Sequence, residues 1–171
     1  NRGALRNIVL TTGEKEMSVR LSGEVRMKTA YAGALAGRND GTIYNCAAAG
    51  YSVGSNAYQG SILYLGGLVG YNGGTIRASG VSTPSITGSS NYARLLTGGF
   101  TGGNGGTVLQ SYAMANIEIQ QIRGTGVVLA GFTAENTGSV RNSYCATALS
   151  AVTGAEVNGF TSDHGSVSDC Y

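Results

Sequence analysis

One histidine, His164, and three cysteines, Cys46, Cys145 and Cys170, make up the whole stock of imidazole and thiol groups in this 171-residue chain. An ordinary zinc site needs three or four such ligands converging on one point, and a Ser or Cys nucleophile needs a base within hydrogen-bond reach. His164 lies inside Asp163-His164-Gly165, a turn sequence, and reads as a turn tip. Cys46 and Cys170 occupy a position that elsewhere holds Ser79, Ser111 and Ser143, which indicates small-residue packing. Cys145 falls near Cys170 in an adjacent repeat, where a disulfide and simple packing both stay open. Paired acids are the chemistry of polysaccharide hydrolases and lyases. The candidates are Asp40, Glu135, Asp163 and Asp169. Only Asp163 and Asp169 are close in sequence, and Asp169 aligns with Asn45 and Asn142. Residues 99–106 are rich enough in glycine to suggest a phosphate loop, but they lack its Lys-Ser/Thr ending and following helix. The expectation is therefore no catalytic residue, no metal ligand and no cofactor.

Composition points to a different kind of protein. The chain holds 29 Gly, one Pro and no Trp; 12% of its residues are charged and 42% apolar. Many turns with a real apolar fraction indicate an all-β domain, not a disordered chain. A net charge of +2 gives no ground for a nucleic-acid partner. Six of the eleven basic residues fall in the first 28 positions, but Glu14, Glu16 and Glu24 interleave with them, as on a solvated face. No apolar run of about 18 residues exists, so no membrane insertion is expected. The opening on Asn1 predicts a chain that continues into flanking domains.

The elements come from a repeat. Gly67-Leu68-Val69-Gly70-Tyr71-Asn72-Gly73-Gly74-Thr75-Ile76 recurs as Gly99-Phe100-Thr101-Gly102-Gly103-Asn104-Gly105-Gly106-Thr107-Val108. Looser copies start at Ala34, Gly131 and Gly159, and the last has Asp163 in place of Asn. The turn glycines Gly41, Gly74, Gly106, Gly138 and Gly165 are spaced by 33, 32, 32 and 27 residues. Asn-x-Gly between apolar stretches is turn chemistry, since both residues tolerate positive φ. Leu35, Leu68, Phe100, Phe132 and Phe160 form one apolar column; Ile43, Ile76, Val108, Val140 and Val167 form a second. A third cluster (Ile62 to Leu65, Leu95-Leu96, Val127 to Leu129, Val157) follows a less regular arm. One such repeat cannot bury its own apolar face, whereas a stack can. The expectation is a right-handed parallel β-solenoid of about five repeats, three strands to a coil, over residues 31–171. Residues 1–30 would form a β cap or a degenerate repeat.

The Gly67-Leu68-Val69-Gly70 segment, with Tyr71-Asn72-Gly73-Gly74-Thr75-Ile76 after it, resembles the GLUG motif, and Ser143-Tyr144-Cys145 resembles its continuation with the order disturbed. The resemblance covers residues 33–171. It implies a module of a secreted or surface-attached bacterial protein, such as the immunoglobulin A metallopeptidases and adhesin-like proteins. In those peptidases the zinc site lies in a separate domain with a His-Glu-x-x-His motif, which is absent here.

Surface chemistry supplies the remaining readings. Thr42, Thr75, Thr107, Ser139 and Ser166 precede the second column and should form an exposed ladder; Ala36, Val69, Thr101, Thr133 and Thr161 follow the first and should face outward too. Hydroxyl ladders also serve ice-binding solenoids, although Thr suits any exposed strand. Tyr44, Tyr51, Tyr58, Tyr64 and Tyr71 cluster early and could stack on a glycan, or serve as ordinary strand residues. The expected function is a non-catalytic stalk or adhesive surface outside a bacterial cell, with a host protein or glycan as partner. A carbohydrate-binding module is the alternative.

Overall fold

A computed structural model describes residues 1–12, 17–21, 29–57, 60–162 and 165–171. Asp163, His164, Tyr58 and most of the charged N-terminal stretch lie outside the described residues, so the expectations placed on them have no structural counterpart here. The described chain contains strands and no helix. Among the described residues every strand pair is parallel, for example Ile43↔Ile76, Ile76↔Val108 and Val108↔Val140, so one repeat makes one coil.

Four sheets run along the stack, holding six, seven, five and four strands in the order the chain visits them. Sheet 1 contains Thr42–Tyr44, Thr75–Arg77, Thr107–Leu109 and Ser139–Arg141. Sheet 2 contains the long strands Gly80–Asn91, Tyr112–Arg123 and Tyr144–Ala151. Sheet 3 contains Thr29–Ala32, Ile62–Gly66, Arg94–Gly98, Val127–Ala130 and Ala155–Asn158. Sheet 4 contains Ala36–Asn39, Val69–Asn72, Thr101–Asn104 and Thr133–Asn136. Two expectations need correction. The irregular arm is a long strand, so a coil has four strands and not three. About four turns are complete, against five sequence copies, because the last copy reaches sheet 4 only through the single bridge Thr133↔Thr161.

The long strands of sheet 2 span two cores. The first gathers Ile43, Ile76, Val108 and Val140 with Leu68, Phe100 and Phe132, all fully buried. Phe100 and Phe132 stack at 4.7 Å between ring centroids, and Phe132 and Phe160 at 4.9 Å. The second core packs Val53, Ile86, Ile117 and Ile119 of sheet 2 on Leu63, Leu65, Leu95 and Leu129 of sheet 3.

The turn glycines superpose coil on coil. The carbonyls of Gly3, Gly41, Gly74, Gly106 and Gly138 each accept the amide of the next coil's Thr42, Thr75, Thr107, Ser139 or Ser166, all at 2.9 Å. Positive φ is not the reason for glycine here. None of Gly41, Gly74, Gly106, Gly138 and Gly165 has it; instead a Cβ on Gly74 would lie 2.1 Å from the Gly41 carbonyl oxygen. The preceding asparagines are buried and form a ladder. Asn39, Asn72 and Asn104 donate Nδ2 to Oδ1 of Asn72, Asn104 and Asn136 at 2.8, 2.8 and 2.9 Å. Asn1 donates to Asn39 at 2.8 Å, so the described N-terminal residues extend the same ladder, with Asn1-Arg2-Gly3 at the turn. Their strands Ala4–Arg6 and Thr29–Ala32 pair in register with the next coil.

Left-handed backbone does occur, one corner later. Asn7, Asn45, Ala78, Gln110, Asn142 and Asp169 share φ between 48° and 57°. Asn and Asp tolerate this conformation and most residues do not, which explains why Asp169 aligns with Asn45 and Asn142.

The row Ala36, Val69, Thr101, Thr133 and Thr161 does not face outward. Val69, Thr101 and Thr133 are fully buried, and the Thr101 hydroxyl donates to that of Thr133 at 2.8 Å. The chain turns a corner between sheets 3 and 4, where Leu68 and Val69 both donate their amides to the Phe100 carbonyl (3.0 and 3.2 Å). Two consecutive side chains therefore point inward, and strand alternation starts afresh after them.

Two stability measurements follow. Phe132→Ala empties the middle of the ring stack and should cost about 3–5 kcal/mol in denaturant unfolding; a loss under about 1 kcal/mol would mean that the column is not core. Ala78→Asn, at an exposed left-handed corner, should raise stability by about 0.5–1 kcal/mol by relieving that backbone.

Candidate functional site

The hydroxyls and thiols nearest to nucleophile chemistry are occupied by the stack. Ser79, Ser111 and Ser143 donate Oγ to the carbonyls of Arg77, Leu109 and Arg141 at 2.9, 2.9 and 2.8 Å. The same oxygens accept the amides of Cys46, Ser79 and Ser111 from the previous coil. Cys46 and Cys170 repeat the pattern, donating Sγ to Tyr44 and Ser168 carbonyls at 3.3 and 3.1 Å. All three cysteines are free. Cys145 packs at the edge of the first core, and burial, with Cys170 nearby, pushes its thiol above the ordinary range. Among the described residues no group of three or more His, Cys, Asp or Glu is placed to hold a metal ion. No helix of the described residues is long and apolar enough to cross a membrane.

The Thr/Ser ladder expected to be exposed runs along sheet 1. Thr42, Thr75, Thr107 and Ser139 are half-buried and Ser166 is exposed. Tyr112 and Tyr144, which open strands of sheet 2, stack at 5.6 Å, and Tyr171 continues the stack at 5.5 Å. Among its described members the expected early tyrosine cluster is divided: Tyr51 is buried, Tyr44 is exposed, and Tyr64 and Tyr71 meet.

Those two belong to a valley between the outer faces of sheets 3 and 4. Its base is the column Gly37, Gly70, Gly102, Ala134 and Ser162. At position 102 glycine is required, because a Cβ there would lie 2.6 Å from the Leu65 amide nitrogen. One wall carries Tyr31, Tyr64, Leu96, Val128 and Glu156, paired in register along sheet 3. The other carries Arg38, Tyr71, Gly103 and Glu135 along sheet 4.

At its N-terminal end the valley is filled. Tyr31 and Tyr64 stack at 5.5 Å, and Tyr71 meets Tyr64 edge-on at 5.3 Å. The Arg38 guanidinium lies 5.4 Å from the Tyr71 ring centre and pairs with Asp40 at 2.9 Å. Further along, Glu135 is held from two sides: the Tyr64 hydroxyl donates to Oε2 at 2.9 Å and Arg94 Nη2 to Oε1 at 2.8 Å. Burial, and then the bond to Glu135, push the Tyr64 hydroxyl well above the ordinary phenol range, so it remains a donor. Beyond this link the valley opens into a cavity of about 290 Å³ lined by Arg94, Leu96, Val128, Glu135, Glu156 and Asn158. Leu96 and Val128 belong to a small apolar cluster outside the two cores. A second, shallower depression of about 440 Å³, lined by Ala49, Ser82, Met114 and Ala146, carries no charged side chain.

Sequence reasoning weighed Glu135 only as a catalytic candidate and missed Tyr31, Arg38, Arg94 and Glu156. Their columns could have been found by offset, because Tyr31 and Tyr64 are 33 residues apart and Leu96 and Val128 are 32. Asp40 reaches the valley only through its pair with Arg38, at the filled end, and Asp169 lies at a left-handed corner elsewhere. Fold and site together define a parallel β-solenoid with one polar-rimmed valley on its side. No protein-family model, curated protein or solved structure matches the chain.

Thiol chemistry checks the cysteine assignment. A disulfide-exchange reagent at pH 8 should react slowly with Cys145 in the native chain, because its thiolate is scarce. Unfolding should release three thiols per chain. Recovery of only one after unfolding would mean that Cys145 and Cys170 are paired.

Proposed function

We propose that this chain is a non-catalytic repeat domain of a secreted or surface-attached bacterial protein and acts as an adhesive surface more than as a spacer. The resemblance of residues 67–76 to the GLUG motif supports the extracellular setting, and an accessory domain of an immunoglobulin A peptidase is its finer form. The observation that carries the adhesive reading is the geometry of the coil. A repeat of 32 residues, the spacing of Ile76 and Val108, advances the stack by one strand, about 4.8 Å. The same length of extended chain would reach about 110 Å. So much chain for so little reach makes sense when the product is broad, regular side faces. A carbohydrate-binding module is the second reading, favoured by the polar-rimmed valley.

The test is incubation of the chain with a panel of polysaccharides and immunoglobulin A, with and without chelator. No turnover is expected. Turnover that is lost with chelator, or in Glu135→Gln, Glu156→Gln, Asp163→Ala or His164→Ala, would overturn the non-catalytic reading.

A further inference from the structure

We propose that the open part of the valley between sheets 3 and 4 is a subsite for a neutral pyranose of a glycan chain, seated on Val128 and held by Arg94, Glu135, Glu156 and Asn158. This rests on the adhesive reading above and names its ligand class. The cavity of about 290 Å³ lies at the small end of ligand pockets, which span about 300–1,000 Å³. It suits one sugar ring better than a larger ligand.

The lining matches a sugar's two kinds of surface. Val128, half-buried on sheet 3 and packed on a small cluster with the buried Leu96 and Ala134, offers the apolar patch outside the main cores where the C–H face of a ring can lie. The rim combines acceptors and a donor. Glu156 is exposed, and one of its oxygens, Oε1, takes the Asn158 amide at 3.0 Å. Glu135 has one bond to each oxygen and keeps further lone pairs. Arg94 uses one nitrogen on Glu135 and carries four more N–H groups. A hydroxyl both donates and accepts, so adjacent hydroxyls of one ring can use carboxylate and guanidinium together.

The same chemistry argues against a lysine side chain of a partner protein. An ammonium only donates, and Arg94 already sets a positive charge against Glu135 at 2.8 Å. Tyr31, Tyr64 and Tyr71 fill the valley on the N-terminal side of this cavity, so the subsite takes one ring and the rest of a glycan chain must leave it toward solvent.

Titration of the isotope-labelled 171-residue chain with lactose, cellobiose and N,N′-diacetylchitobiose, followed by amide chemical shifts, tests this. At least one of the three should saturate and move the amides of residues 94–96, 128, 134–135 and 156–158. Glu156→Gln and Val128→Lys should each weaken that binding about tenfold or more with an unchanged β-sheet spectrum. Met114→Lys, on sheet 2, should leave it unaltered. Four results would overturn the proposal: no saturable shift with any of the sugars, shifts confined to the sheet 1 ladder or the sheet 2 tyrosines, indifference to both valley variants, or saturation by N-acetyl-lysine amide alone. The last would make the valley a site for basic peptides. None of the four requires turnover, so each leaves the non-catalytic reading to its own assay.

Discussion

At Gly41, Gly74, Gly106 and Gly138 a carbonyl oxygen of the preceding coil stands 2.0–2.1 Å from where a Cβ would be. Two coils one strand apart can turn this corner together only if neither has a side chain there. The buried asparagines depend on the same contact. Each one reaches across to the next at 2.8–2.9 Å, and a carboxamide is suited to this because it both donates and accepts along a column. A coil with a bulky residue at the glycine would be lifted from its neighbour, and its Asn would leave two partners buried and unsatisfied. The turn therefore fixes the spacing, and the spacing lets Phe100, Phe132 and Phe160 stack face to face.

This constraint explains which parts of the structure were legible in the sequence. Whatever must be identical in every coil appears as a period, so the turn glycines, the Ile/Val column and the Leu/Phe column could be read directly. The N-terminal turn Asn1-Arg2-Gly3 was hidden because its glycine stands 38 residues before Gly41, not 32 or 33. The inward row of Val69, Thr101 and Thr133 was misread because alternation was carried through a corner where two amides share one carbonyl. Sheet 2 was taken for an irregular arm for a related reason. The strand Gly80–Asn91 shifts register against Tyr112–Arg123 between Thr83 and Ile86 and again between Gly88 and Ser89, so these arms do not align at one constant offset as the turns do.

The valley was less legible because its residues are under no such constraint. Outward columns can change from coil to coil without disturbing the stack, and here they do: Tyr31, Tyr64, Leu96, Val128 and Glu156 follow one another on one wall. Such a column has a period in position and none in residue type. Only the parallel register shows that Tyr64 and Glu135, 71 residues apart in sequence, are hydrogen-bonded neighbours.

The boundary between the filled and open halves of the valley depends mainly on one position. Gly103 occupies the column of Arg38, Tyr71 and Glu135, and a Cβ there would lie 2.7 Å from the Tyr64 ring and 2.8 Å from that of Tyr71. The two rings therefore lean over Gly103 and take up the space that its side chain would have used. That brings the Tyr64 hydroxyl within reach of Glu135 in the following coil, where Arg94 meets the carboxylate from the other side. The rings go no further, because the wall after Tyr64 continues with Leu96 and Val128, which are too short to close the valley. An aromatic plug, a fixed carboxylate and an open apolar seat thus follow in order from a single missing side chain, on a scaffold whose inner columns are not free to vary.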